Sequence, residues 1–183
     1  MEKFNLKRED ALLLVIDIQE KLLPVIHNKE EVVNNNNILI STAKKLNLPI
    51  IYTEHYAKGI GPTVDKLKEN LDTARKFDKV AFSACIEEGF LDLIKETNRK
   101  QIIVTGTETH VCVFQTIRDL LNNGYRVFVP IDAVGSRLEE IKNNALELLR
   151  DMGAVITNTE LIAFDLVKIS GSPEFKEILK LVK

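Results

Sequence analysis

The chain has 183 residues, 45% of them hydrophobic, and a formal net charge of -2, which suits one domain with a sizeable core. Lys and Glu are interspersed, as on solvated helix faces, and no basic block of the kind nucleic-acid surfaces carry is present. Two cysteines make no disulfide framework, no apolar run approaches the roughly 20 residues that cross a bilayer, and the first ten residues lack a leader's apolar stretch, so a soluble cytoplasmic protein is expected.

Residues 11–16 form a continuous apolar run ending at Asp17, the pattern of a strand buried on both faces of a parallel sheet. Residues 19–26 read as a short helix or turn broken by Pro24. A helix is expected over about 29–46, its Asn34–Asn37 run a poor helix former and therefore solvated. Residues 50–53 read as the second strand. The stretch 54–64 holds two glycines and a proline and reads as a long loop of the kind that borders sites. A short helix at 67–71 and an extended piece at 79–82 follow.

Residues 87–97 predict a helix and residues 102–105 a strand. A helix begins near Cys112 and stops at Asn123-Gly124. The strand 125–129 comes next. Ser136-Arg-Leu-Glu139 has the form of a capping box opening an amphipathic helix that Gly153 closes. Residues 154–157 read as a strand, Asn158 or Thr159 caps a further helix, and Ser172-Pro173 starts the last. Strands alternate with helices throughout, which predicts an α/β fold: a three-layer α/β/α arrangement, in one domain, around a mostly parallel sheet. Ligands of such sheets bind at the carboxyl ends of the strands, where Asp17, Lys79 and the turn 106–112 could meet.

No G-x-G-x-x-G, P-loop, G-x-S-x-G or C-x-x-C occurs, so dinucleotide, nucleotide, serine-elbow and thioredoxin-like readings fall away. Asp17, Lys79 and Cys112 remain. A thiol at a helix N-terminus beside a lysine has a lowered pKa and a reactive thiolate. An acid nearby could take its proton. The ordinary alternatives stand beside this. Most free cysteines are buried small hydrophobes, strand-end aspartates serve turns, and most lysines are solvated.

Val-Ile-Asp17-Ile-Gln19, Lys79-Val-Ala-Phe-Ser83 and Val-Thr-Gly106-Thr-Glu-Thr-His-Val-Cys112-Val, in this order, resemble the isochorismatase-like cysteine hydrolases. Ala-Val-Gly-Ser-Arg137 after Asp132 fits as well. The stretch Thr53–Thr63 and the tail from Pro173 resemble the isochorismatase domain-containing proteins in particular. The resemblance implies the isochorismatase-like fold with Cys112 as nucleophile, Asp17 as general base and Lys79 as electrostatic partner of both. It implies a non-proline cis peptide at Thr107–Glu108, and an oxyanion hole from the N–H groups of Glu108 and Cys112. The reaction class is acyl transfer through a thioester on a small amide or related carbonyl compound, an amidohydrolase acting on C–N bonds other than peptide bonds. A homo-oligomer is implied, with a small-molecule substrate and no nucleic-acid or membrane partner.

Isochorismatases proper cleave a vinyl ether without a cysteine nucleophile, so Cys112 argues against that substrate. Nicotinamidases carry a metal-binding Asp and histidines after the second strand. Here that strand leads into Thr53-Glu-His-Tyr56, so no catalytic metal and no cofactor are expected, and His55 reads as a polar loop residue. Gln19, His55, Tyr56 and Phe82 are candidates for the substrate pocket, with packing or solvent exposure as the equal alternative for each. His110 could touch substrate or face away, and Cys85 reads as structural. A silent binding or scaffold protein of the same fold, or a thiol redox sensor, is the alternative function.

Overall fold

A computed structural model describes residues 1–183. Seven strands form one sheet: β1 (Ala11–Ile16), β2 (Ile50–His55), β3 (Arg75–Lys79), β4 (Gln101–Thr107), β5 (Arg126–Pro130), β6 (Val134–Gly135) and β7 (Val155–Thr157). Their spatial order is β3-β2-β1-β4-β5-β7, with β6 paired to the far end of β4, and every pairing is parallel. The helices are α1 (Lys29–Lys45), the short α2 (Ala57–Ile60) and α3 (Asp65–Lys68), α4 (Phe90–Glu96), α5 (Phe114–Asn122), α6 (Glu139–Asp151), α7 (Thr159–Val167) and α8 (Pro173–Val182). None is long and apolar enough to cross a membrane.

The central strand β1 explains the layering. Its side chains alternate, so Leu13 and Val15 join the cluster under α1, α7 and α8, while Leu12, Leu14 and Ile16 join the cluster under α4, α5 and α6. Every residue of β1 and β4 is buried. A strand covered on both sides reads as an unbroken apolar run, which is why β1 is visible in the sequence and the polar edge strand β3 is not.

Several elements depart from expectation, each for a local reason. The extended piece expected at 79–82 is instead β3, which ends at Lys79, and residues 80–82 bend away. His55 belongs to β2, and part of the expected loop 54–64 is the helical turn α2. The asparagine run in α1 is not simply solvated. Asn36 is fully buried and donates to the carbonyls of Val32 (2.8 Å) and Ala133 (2.9 Å), while Asn35 donates to Asp132 O (2.9 Å). These amides tie α1 to the segment after β5. The capping box does not form: α6 starts at Glu139 with Leu138 as N-cap, and the Ser136 hydroxyl faces His110 Nδ1 at 3.0 Å. Asn158 and Ser172 do cap their helices, accepting from Leu161 N–H (2.8 Å) and Phe175 N–H (3.0 Å).

Gly106 marks a close approach between β4 and β1. Its φ is +113°, and a Cβ there would lie 1.9 Å from the carbonyl oxygen of Ile16, so only glycine lets β4 run beside the end of β1. The peptide bond Thr107–Glu108 that follows is cis, as the resemblance implies.

Candidate active site

Four adjacent strands deliver four side chains to one end of the sheet. Lys79 is the last residue of β3, His55 the last of β2 and in register with it, Asp17 directly follows β1, and Cys112 lies in the turn after β4. Each comes from the carboxyl end of its strand, where a parallel sheet leaves a crevice.

The Lys79 and Asp17 side chains are wholly inaccessible to solvent, and Nζ stands 2.6 Å from Oδ2. Asp17 Oδ1 accepts from the Thr53 hydroxyl at 2.6 Å. Thr53 pairs in register with Ile16, which places it beside the end of β1. The Lys79 ammonium donates to Ala81 O and Phe82 O, both at 3.2 Å, while its contact with Asp17 is an ion pair whose Oδ2 accepts no hydrogen bond. His55 Nδ1 is a further 3.5 Å neighbour. Asp17 has φ +49°, and its carbonyl accepts from Gln19 N–H (3.0 Å) and from the Thr107 hydroxyl (2.7 Å), so the backbone on both sides of the carboxylate is held.

Cys112 sits in a single wide turn, Thr109–Val113, that runs directly into α5, with Val113 N–H reaching back to Glu108 O at 3.2 Å. The expectation of a lowered thiol pKa is overturned. Burial pushes the Cys112 thiol up to about 12, and the negative charge of Asp17 adds to this, while Lys79 pulls the other way. Removal from water and the Asp17 charge outweigh Lys79, so Cys112 rests as the neutral thiol. Cys85 is likewise held at about 12, by burial and then by Asp119. The His55 pKa is lowered, first by burial and then by the Lys79 charge, which disfavours the imidazolium.

The expected pocket residues divide. His55 stacks on Phe82, ring centroids 5.6 Å apart, and Phe82 and Tyr56 are both more than half exposed at the same end of the sheet. Gln19 presents no free amide to a pocket: it is fully buried, its Nε2 donates to His55 O (3.0 Å) and Gly61 O (2.6 Å), and its Oε1 accepts from His55 N–H (2.8 Å). It fastens the segment after β2 instead. His110 turns to Ser136. The Glu108 carboxylate accepts from Arg137 N–H (3.2 Å) and Nε (3.1 Å), whereas the Glu108 N–H donates to no acceptor in the chain.

Three residues escaped the sequence. Thr53 orients Asp17. Glu87 accepts from Val80 N–H (2.7 Å) and Ala81 N–H (2.6 Å), and so holds the bend whose carbonyls grip Lys79. Glu54 is buried between Thr63, which donates N–H (2.7 Å) and hydroxyl (2.9 Å) to it, and Lys76 Nζ at 2.7 Å. The alternation of β2 offered one signal, since Thr53 and His55 share a face; the partners of Glu87 and Glu54 lie in loops that leave no periodic trace. His55 is not an isolated loop histidine either. One donor atom from each of Asp17, His55 and Cys112 lies within 4.8 Å of the others.

Removing the Thr53 hydroxyl unpairs a buried carboxylate oxygen. Thr53→Val, nearly the same shape, is expected to cost about 1–3 kcal/mol in chemical unfolding, with Thr53→Ser close to wild type. Equal losses in the two variants would show that packing, and not the hydrogen bond, is what Thr53 supplies.

The isochorismatase domain pattern matches residues 11–161. Isochorismatase family protein 1A of Dictyostelium discoideum is 41% identical over 182 residues, covering 97% of this chain and 88% of that protein. Isochorismatase domain-containing protein 2 of Xenopus laevis is 34% identical over 178 residues, covering 97% and 86%. Among solved structures, MAR1 ribonuclease from Caenorhabditis elegans superposes with a TM-score of 0.91 at 38% identity, covering 97% of this chain and 92% of that one. YcaC from Pseudomonas aeruginosa, solved with hexane-2,5-diol and covalent acrylamide, gives 0.91 at 30%, covering 97% and 91%. The Escherichia coli YcaC product, described as an octameric hydrolase of unknown specificity, gives 0.88 at 28%, covering 98% and 87%. With the domain match over most of its length and relatives above 30% identity end to end, the chain belongs to the isochorismatase family and has its hydrolase fold.

Proposed function

We propose that the protein is a cysteine-dependent hydrolase of a small amide or related carbonyl compound, with Cys112 as nucleophile, Asp17 as general base and Lys79 as the cation that steadies both. The observation that carries this reading is the solvent-free Lys79–Asp17 ion pair at 2.6 Å with the Cys112 sulfur in the same cluster. A buried ion pair is a costly way to stabilise a fold, so a chemical role is the economical account of it.

The raised thiol pKa sets the order of events. Cys112 holds its proton until a carbonyl is in reach. Sulfur then bonds to the carbonyl carbon as the thiol proton passes to Asp17, and the oxyanion is received by the N–H groups of Glu108 and Cys112. Collapse breaks the C–N bond, and the leaving amine takes the proton from Asp17. Water, giving its proton to Asp17, attacks the thioester and releases the acid, and Cys112 regains its proton. Lys79 offsets the negative charge that moves between carboxylate and sulfur. His55, Phe82 and Tyr56 form the wall on which the substrate rests. A covalent adduct in the YcaC relative at 30% identity supports a reactive centre in this fold.

A ribonuclease activity, the description attached to three of the similar solved structures, is not favoured by a chain of formal net charge -2 without a basic cluster. The octameric relative supports a homo-oligomer here. Two free, buried thiols favour a reducing compartment such as the cytoplasm.

Iodoacetamide labelling tests the site without knowledge of the substrate. Cys112 is expected to react faster than Cys85, because Lys79 stands beside its thiolate and no lysine stands beside that of Cys85. Its rate should rise about tenfold per pH unit and remain unsaturated past the free-thiol midpoint near 8.5. Lys79→Met should slow it. Equal rates at the two cysteines, or no effect of Lys79, would remove the support for catalysis, and the second result would favour a redox sensor. Once a substrate is found in an amide panel, Cys112→Ala should abolish turnover.

A further inference from the structure

We propose that Asp17, His55 and Cys112 form a latent site for a thiophilic divalent cation, of the zinc or cadmium type, which the Lys79 ammonium holds closed. The inference does not depend on the hydrolase reading, because it concerns equilibrium binding to donors that are present whether or not the protein turns over a substrate.

The donors are one carboxylate, one imidazole and one sulfur, carried by three adjacent strand ends and lying within 4.8 Å of one another. This mixture of oxygen, nitrogen and sulfur suits a borderline-soft ion and not a hard one such as magnesium. Tetrahedral coordination at about 2.0–2.3 Å calls for donors roughly 3.3–3.8 Å apart, so the set must close by about an ångström. Asp17 and Cys112 are buried and fixed, while His55 is only partly buried, on the solvent side, and can supply that movement.

What opposes binding is Lys79. Its Nζ lies 2.6 Å from Asp17 Oδ2 and 3.5 Å from His55 Nδ1, among the same donors a metal would use. The ammonium therefore does for Asp17 what a cation would do, with a charge of one and no demand on the thiol. A divalent ion must expel it, and the thiol must release its proton to solvent as the metal–sulfur bond forms. Without Lys79 the buried carboxylate is left uncompensated, and the site should become a binder.

The test titrates the full chain with cadmium chloride, reading thiolate-to-cadmium absorption in the near-ultraviolet. Lys79→Met is expected to bind one Cd²⁺ per chain at least about tenfold more tightly than wild type, since a repelling unit charge a few ångströms away is gone. Its melting temperature should rise with the added ion, and the wild type's should change little. In the Lys79→Met background the absorption should vanish with Cys112→Ser, weaken about tenfold with His55→Ala and persist with Cys85→Ser. Equal affinity with and without Lys79, or a band that survives Cys112→Ser, overturns the proposal. Should Lys79→Met fail to fold, the wild type decides: Cd²⁺ at saturating concentration should shield Cys112 from iodoacetamide, and His55→Ala should lose that shielding. No shielding, or shielding indifferent to His55, overturns it equally.

Discussion

Lys79→Met is expected to destabilise the protein by about 3–5 kcal/mol at neutral pH, the cost of leaving one member of a buried ion pair uncompensated. Both side chains are wholly out of solvent, so water cannot take over the lost contact. Asp17→Asn should cost a comparable amount, because it strands the ammonium. The double variant, Asp17→Asn with Lys79→Met, removes both charges and should recover most of the loss. Urea unfolding of the four proteins completes the cycle. If the double variant lost as much as the two single variants added together, the pair would be energetically independent and its proposed electrostatic role untenable. All three variants should lose turnover, so stability and activity part company in the double variant: it folds and is inactive.

The second large effect is expected at Gly106. Alanine there meets two penalties. A φ of +113° is one that side chains with a Cβ seldom adopt, at about 1–3 kcal/mol, and the new Cβ would overlap the Ile16 carbonyl at 1.9 Å, adding about 1–3 kcal/mol of overpacking. The obstruction is backbone, which cannot rotate aside, so β1 and β4 must separate at their carboxyl ends. Those ends carry Asp17 and lead to Cys112. Gly106→Ala is therefore expected to lose about 3–5 kcal/mol in urea unfolding and to lower Cys112 labelling even in the fraction that remains folded. A variant as stable as wild type would mean that the strands are not pressed together as described.

The two buried thiols make stability depend on alkaline pH. Each has a folded-state pKa raised to about 12, against about 8.5 in an unfolded chain. The folded state thus binds more protons between those values. The contribution is fully present below about 8.5 and is lost as pH rises from there through about 12, at up to about 1.4 kcal/mol per pH unit for each thiol. Cys85→Ala and Cys112→Ala should each flatten the decline; an unchanged slope in both would contradict the burial of their charge.

The architecture was legible where a residue's environment repeats along the chain. A strand covered on both faces shows as an unbroken apolar run, so β1 and the interior of β4 stand out, and Asn158, Ser172, Gly124 and Gly153 mark helix ends by local backbone chemistry alone. The edge strand β3 was misplaced because its residues are mostly exposed, and an exposed strand lacks that signature. The Ser136 capping box misled for the opposite reason: the local pattern was present, but His110 and Glu108, both distant in sequence, take the hydroxyl and the neighbouring Arg137 N–H. Asn36 reads as a weak, solvated helix residue until α1 is laid against the segment after β5.

By itself, then, the sequence determined the alternating α/β order, the apolar strands at the centre of the sheet, the family and the identity of Asp17, Lys79 and Cys112, because periodicity and motif spacing are written along one chain. Only the tertiary structure decided that these three meet with His55 on four adjacent strand ends, that Thr53 and Glu87 hold them there, and that Gln19 binds backbone instead of facing a pocket. It also reversed the expected state of the Cys112 thiol. A thiol's pKa depends on what surrounds it in space, and in this fold removal from water and the Asp17 carboxylate outweigh Lys79, so Cys112 keeps its proton.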